Sequence, residues 1–129
     1  MRYLLDTHTL LWALTDPASL GVTAGRIIRD VDQALLVSAA SAWEIATKQR
    51  LGRLPHADVI VATYTRHLKR LRAEPLPITD EHALLAGRLD WDHRDPFDRM
   101  LAAQAMTESL TLVTMDPAFT SLPGVRTLW

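Results

Sequence analysis

Four carboxylates stand where chemistry could be done: Asp6, Glu44, Asp98 and Asp116. Each lies close after a stretch patterned as a buried strand, or in the helix that follows it. In open parallel sheets, functional groups collect at the carboxyl ends of the strands. Four carboxylates sharing one cleft repel, and their pKa values are forced apart. A hard divalent cation relieves that repulsion. Mg²⁺ or Mn²⁺ prefers oxygen ligands and commonly binds through one or two carboxylates plus a substrate phosphate. The chemistry implied is metal-assisted hydrolysis of a phosphodiester.

Each acid also has an ordinary structural reading. Asp6 can cap the helix after the first strand. Asp116 precedes Pro117, and Asp-Pro is a standard way to begin a turn or helix. Asp95 precedes Pro96, so it is the expected cap of the helix there, and it can pair with Arg99 one turn on. Glu44 can pair with Lys48 at i,i+4 for about 0.2–0.5 kcal/mol. Asp98 is harder to explain that way. Its neighbours along the helix are Leu101, Ala102 and Ala105, and an acid on a small-residue packing face is costly unless compensated.

The elements that must position these acids read off in order. Tyr3-Leu4-Leu5 is a short buried strand. Leu10–Leu14 is helical, and Asp16-Pro17 marks a turn. Ser19–Val31 is a second helix, weakened by Gly21 and Gly25. Ala34–Val37 is the next strand. Ser38 or Ser41 caps the helix that carries Trp43, Glu44, Ile45 and Ala46, and Gly52 and Pro55 stop it. Asp58–Leu71 is one helix with Val59, Ile60 and Ala62 on its apolar side and a basic end. Pro75-Leu76-Pro77 is extended. Thr79 caps a helix to Leu89, and residues 91–94 form a polar loop. Asp95-Pro96 opens a long helix to about Ser109, followed by strands at Thr111–Thr114 and Val125–Leu128. Strands alternating with helices imply an α/β domain on a parallel sheet.

Length and composition agree with one domain over residues 1–129. Its 48% apolar and 22% charged residues are those of a globular chain. With no cysteine, disulfides and thiolate-held zinc are excluded, which points to a reducing cytoplasm. No apolar run is long enough to span a bilayer, and Asp6 and His8 interrupt any signal-like N-terminus. A formal net charge of −1 gives no global pull toward polyanions, so any RNA contact must be local.

With these residues in place, the chain resembles a PIN-domain ribonuclease of the VapC toxin type, from bacterial toxin–antitoxin pairs. The resemblance runs over nearly the whole chain. It rests on residues 4–8 (Leu-Leu-Asp-Thr-His), 37–45 (Val-Ser-Ala-Ala-Ser-Ala-Trp-Glu-Ile), 93–105 around Asp95-Pro96-Phe97-Asp98-Arg99, and 110–116 ending in Met115-Asp116. It implies a three-layer α/β/α sandwich around a mostly parallel sheet, with Mg²⁺ (or Mn²⁺) held by Asp6, Glu44, Asp98 and Asp116. It also implies single-stranded or looped RNA as substrate, a homodimer, and a small VapB-type antitoxin whose C-terminal segment covers the site. Thr7 and Thr114 are candidates to hydrogen-bond a carboxylate or a metal-bound water, with Asp95 beside them. His93 and Arg94 are candidates to meet RNA phosphates. Lys48, Arg50 and Arg53 form another basic cluster, and Trp12 and Trp43 read as core or interface rather than as base-stacking platforms. The competing expectation is a catalytically inactive PIN-like module that binds RNA or protein. A haloacid-dehalogenase-like phosphoryl transfer would want a second Asp where this chain has His8.

Overall fold

Successive side chains of a strand point to opposite faces, so a strand covered on both sides must be apolar throughout. That is the composition found. In a computed structural model, which describes residues 1–55 and 57–129, five strands form one sheet. They are β1 (Arg2–Leu5), β2 (Ala34–Ser38), β3 (Ala73–Leu76), β4 (Thr111–Val113) and β5 (Arg126–Leu128). Their order is β3-β2-β1-β4-β5, and every neighbouring pair is parallel.

The helices are α1 (Thr7–Thr15), α2 (Val22–Arg29), α3 (Ala39–Arg50), α4 (Ala57–Ala62), α5 (Tyr64–Leu71), α6 (Asp80–Arg88) and α7 (Pro96–Thr107). Short 3₁₀ turns lie at Pro17–Ser19 and Pro117–Ser121. On one face of the sheet, Tyr3, Leu5, Leu35, Val37 and Val113 pack with Leu10, Ile28, Ile45, Ile60 and Leu68 from α1 to α5. On the other, Leu4, Leu36 and Leu112 pack with Leu101, Ala102 and Ala105 of α7 and with Phe119. Two cores on opposite faces make the three layers that the family resemblance implies. No helix among the described residues is long and apolar enough to cross a membrane.

The strand order positions the site. From β1 the chain runs outward through β2 to β3, then returns to lay β4 on the other side of β1. α1 and α2 leave β1 on one face, and α7 reaches β4 on the other. The carboxyl ends of β1 and β4 are therefore a topological switch point, where open α/β sheets leave a crevice.

Several local expectations need correction. The helix expected over Asp58–Leu71 is two, α4 and α5, broken at Thr63 (φ −126°, ψ 33°). The Thr63 hydroxyl donates to the Val59 carbonyl at 2.7 Å, a back-bond that competes with continued helix. Val59 and Ala62 face solvent; the buried side of α4 is Ala57 and Ile60. The helix expected from Ser19 to Val31 is shorter, from Val22 to Arg29 behind a 3₁₀ turn. The proline-flanked extended segment is the edge strand β3, where Pro75 needs no outer N–H partner. Trp43 is not core: it is 60% exposed and packs edge-on against Phe97. Ser38, not Ser41, caps α3, accepting from Ala40 N at 2.9 Å. Gly52 takes φ +70° just past that helix, a left-handed stop suited to glycine.

Candidate active site

A cleft of about 400 Å³ opens at the switch point, lined by Asp6, Glu44, Lys48, Asp95, Asp98 and Asp116 among others. The structure thus gathers all four acids singled out in the sequence, and Asp95 with them.

Asp6 ends β1 and caps α1, with Oδ1 accepting from Thr9 N at 2.7 Å. Its other oxygen accepts from the Thr114 hydroxyl. Thr114 Oγ1 also accepts from Asp116 N at 3.0 Å. One buried hydroxyl therefore ties the acid after β1 to the acid after β4. Asp116 Oδ1 in turn caps the 3₁₀ turn through Ala118 N at 2.9 Å. Capping and cleft placement coincide, because a side chain that caps a helix just past a strand end also borders the crevice there. Thr114→Val is expected to cost about 1–3 kcal/mol, since it strands the buried Asp6 carboxylate and the half-buried Asp116 N–H at once. Thr114→Ser should recover most of that loss. Denaturant unfolding of the two variants measures it, and a Val variant as stable as Ser would contradict the assignment.

Glu44 comes from α3 and is 5% exposed. Lys48 Nζ lies 2.5 Å from its Oε2, and Oε1 is buried with no protein partner. An orphaned, buried carboxylate oxygen is costly unless a cation or proton meets it.

Asp98 sits in the first turn of α7, with Oδ2 2.7 Å from His93 Nε2. Burial pushes its carboxyl up to about 6; the His93 bond opposes this, while the negative charges of Asp95 and Glu44 add to it. Among the described residues, one trio of potential metal donors, His93, Asp95 and Asp98, comes within 4.8 Å of one another. Asp95 also caps α7 through Phe97 N at 2.9 Å. The tightest grouping therefore mixes an imidazole with two of the acids, rather than uniting the four read from the sequence. The reason is local: His93, Asp95 and Asp98 lie within one loop-to-helix junction, whereas Asp6, Glu44 and Asp116 come from three other elements.

The supporting residues divide. Thr7 lines the cleft, but its hydroxyl donates to Ser41 Oγ at 3.0 Å rather than to a carboxylate. His93 is bound to Asp98, and Arg94 is exposed outside the cleft lining. Arg99 does not pair with Asp95. Its guanidinium instead donates to four carbonyls, of Ala86, Leu89, Trp91 and His93, at 2.7–3.0 Å. It thereby ties the end of α6 to the loop that presents His93. The sequence carried no sign of this, because backbone acceptors leave no residue pattern. Also unforeseen was Thr9, whose hydroxyl donates to Val113 O at 2.8 Å and pins α1 to β4.

The donor set suits a hard cation: carboxylate oxygens predominate, one is orphaned, and burial, with the charges of Asp95 and Glu44 adding to it, raises Asp98. Ribonuclease VapC22 of Mycobacterium tuberculosis is 30% identical over 129 residues, covering 98% of this chain and 97% of that protein. Ribonuclease VapC16 of the same organism is 39% identical over 56 residues, covering 43% of this chain and only 40% of that protein. A crystal structure of VapBC2 from Rickettsia felis, bound to a DNA fragment from its promoter, superposes with a TM-score of 0.73. At 18% identity, over 99% of this chain and 98% of that one, it speaks for the fold. A PIN-domain family model matches residues 3–125, and on that span the chain belongs to the PIN-domain family.

Proposed function

We propose that this protein is a divalent-metal-dependent endoribonuclease, acting as the toxin of a toxin–antitoxin pair on single-stranded or looped RNA. The observation that carries the reading is the convergence of five carboxylates on one cleft, with Glu44 Oε1 left without a protein partner. The two full- and part-length relatives named ribonucleases support it.

Asp6, Asp98, Asp116 and Glu44 would hold Mg²⁺ or Mn²⁺, with Asp95 within reach. When bound, such an ion supplies Lewis-acid neutralisation of charge on the phosphodiester. The chain's own residues do the rest. Thr114 and His93 fix the rotamers of Asp6 and Asp98 by hydrogen bonds, as partners outside a ligand shell do. Glu44, anchored through Oε2 by Lys48, would ligate the ion, directly or through water, or help remove the proton of an attacking water. Lys48 places a cation in the cleft where an RNA phosphate would approach. Hydrolysis delivers hydroxide to phosphorus and that proton, finally, to the departing oxygen. A VapB-type antitoxin is the proposed partner, as in the VapBC neighbour, and a homodimer the proposed assembly.

The test is cleavage of a mixed RNA pool by purified protein with Mg²⁺ and with excess EDTA. Discrete cuts with the metal, lost on chelation, are expected. Cleavage unaffected by EDTA would overturn metal dependence. A protein that binds the pool but leaves it whole would instead be the inactive module.

A further inference from the structure

Trp12 has no place in either half of the core. Along α1, Leu10, Leu11, Ala13 and Leu14 pack on the sheet, but Trp12 does not. Its neighbours are His8, one turn back at a ring-centroid distance of 5.3 Å, and Trp129 at 5.6 Å. Both His8 and Trp12 line the acidic cleft, and His8 is exposed. Trp129 is seated against Gly21, where an added Cβ would lie 2.6 Å from its ring. Gly21 thus leaves the room that Trp129 fills behind Trp12.

An indole left half-buried at the side of a polar cleft, rather than folded fully into the core, forgoes part of its hydrophobic burial. The cleft explains the placement. It offers carboxylates to hold a cation, Lys48 to meet a phosphate, and a pair of aromatic rings beside them. A single-stranded polynucleotide presents those features alternately, as charged phosphates and flat bases. Proteins that track such strands combine cationic contacts with aromatic platforms, and stacking tolerates every base because each has a π-face.

We propose that Trp12, with His8 beside it and Trp129 behind it, is the platform on which a nucleobase flanking the scissile phosphate stacks. This rests on the ribonuclease reading above. Trp12 acts in substrate binding, so its loss falls on KM rather than on kcat.

The experiment is steady-state cleavage of a fluorophore–quencher-labelled single-stranded RNA pool of random sequence, with Mg²⁺. Wild type is compared with Trp12→Leu, which keeps apolar bulk but has no π-face, and Trp12→Phe, which keeps one. Trp12→Leu is expected to raise KM roughly 5- to 150-fold with kcat nearly unchanged, and Trp12→Phe to recover most of it. Gly21→Ala, which displaces Trp129 without touching an acid, should raise KM by a smaller factor. Thermal melts of each variant identify the folded ones, and the Phe variant preserves the test if Leu does not fold. Wild-type turnover with KM unchanged in a folded Leu variant, or a Phe variant no better than Leu, overturns the platform and leaves the nuclease reading intact. Wild type that cleaves nothing under these conditions overturns both.

Discussion

Asp98→Asn is expected to abolish metal-dependent cleavage and, in the metal-free protein, to raise stability at neutral pH. The two effects share one cause. Burial and the nearby negative charges of Asp95 and Glu44 push the Asp98 carboxyl up to about 6. In the unfolded chain its value is about 3.9. Between about pH 4 and pH 6 the folded protein holds a proton that the unfolded chain has released, so its stability falls as pH rises through that window. Above it the full cost of the ionised carboxylate is present. An amide carries no charge and can still hydrogen-bond His93. The carboxyl is only half-buried, so solvent screening leaves the gain at neutral pH on the order of 1 kcal/mol. At about pH 4 wild type and variant should melt together. Under the proposed function Asp98 holds the ion, and removing an anionic ligand would forfeit several kcal/mol of transition-state stabilisation, or roughly 10²–10⁴-fold in rate. Melts at the two pH values and cleavage with Mg²⁺ measure both sides. A variant that is less stable than wild type at neutral pH would refute the electrostatic account, whatever its activity.

Arg99 carries the second large effect. Arg99→Met keeps much of the aliphatic stem but orphans four carbonyls spread over the end of α6 and the loop to His93. Charge-assisted hydrogen bonds are worth about 1.5–3 kcal/mol each, but neighbouring bonds do not add, and some carbonyls regain water. A loss of about 3 kcal/mol is expected, a large share of an ordinary domain's stability. Arg99→Lys should rescue little, because an ammonium cannot reproduce the planar fork that reaches several acceptors at once. The loop presents His93, so cleavage should fall as well under conditions where the variant is still folded. Urea unfolding and the cleavage assay are the measurements. A Lys variant within about 0.5 kcal/mol of wild type would show that the clamp is dispensable.

Much of the fold was legible because its signals are local. Leu4-Leu5, Leu35-Leu36-Val37 and Leu112-Val113 are apolar on successive residues, the mark of strands covered on both faces. Asp95-Pro96, Thr79 and Gly52 punctuate helices by their own backbone chemistry. The break between α4 and α5 was not legible, because a threonine's choice between continuing a helix and back-bonding to Val59 depends on packing at both ends. Nor was the capping box of α6 foreseen, in which His82 at 1% exposure stands in for the usual Glu or Gln and also meets Glu108 at 2.9 Å.

The sequence by itself determined the alternation of strands and helices and nominated the acids of the site. Asp6, Asp95 and Asp116 each sit at an element boundary, which a local pattern records, and Asp98 stands out by its small, packed neighbours. Only the tertiary structure decided what those acids face. The reversal of strand order at β1 brings Asp6 and Asp116 together, so that Thr114 reaches both. The structure also places Trp12, expected in core or interface, at the cleft side, and makes Arg99, an expected partner of Asp95, a clamp on backbone carbonyls. Thr114 to Asp6 and Trp12 to Trp129 join residues far apart in the chain, and the Arg99 clamp, though local, uses backbone acceptors. Neither carries a spacing that the linear sequence can display.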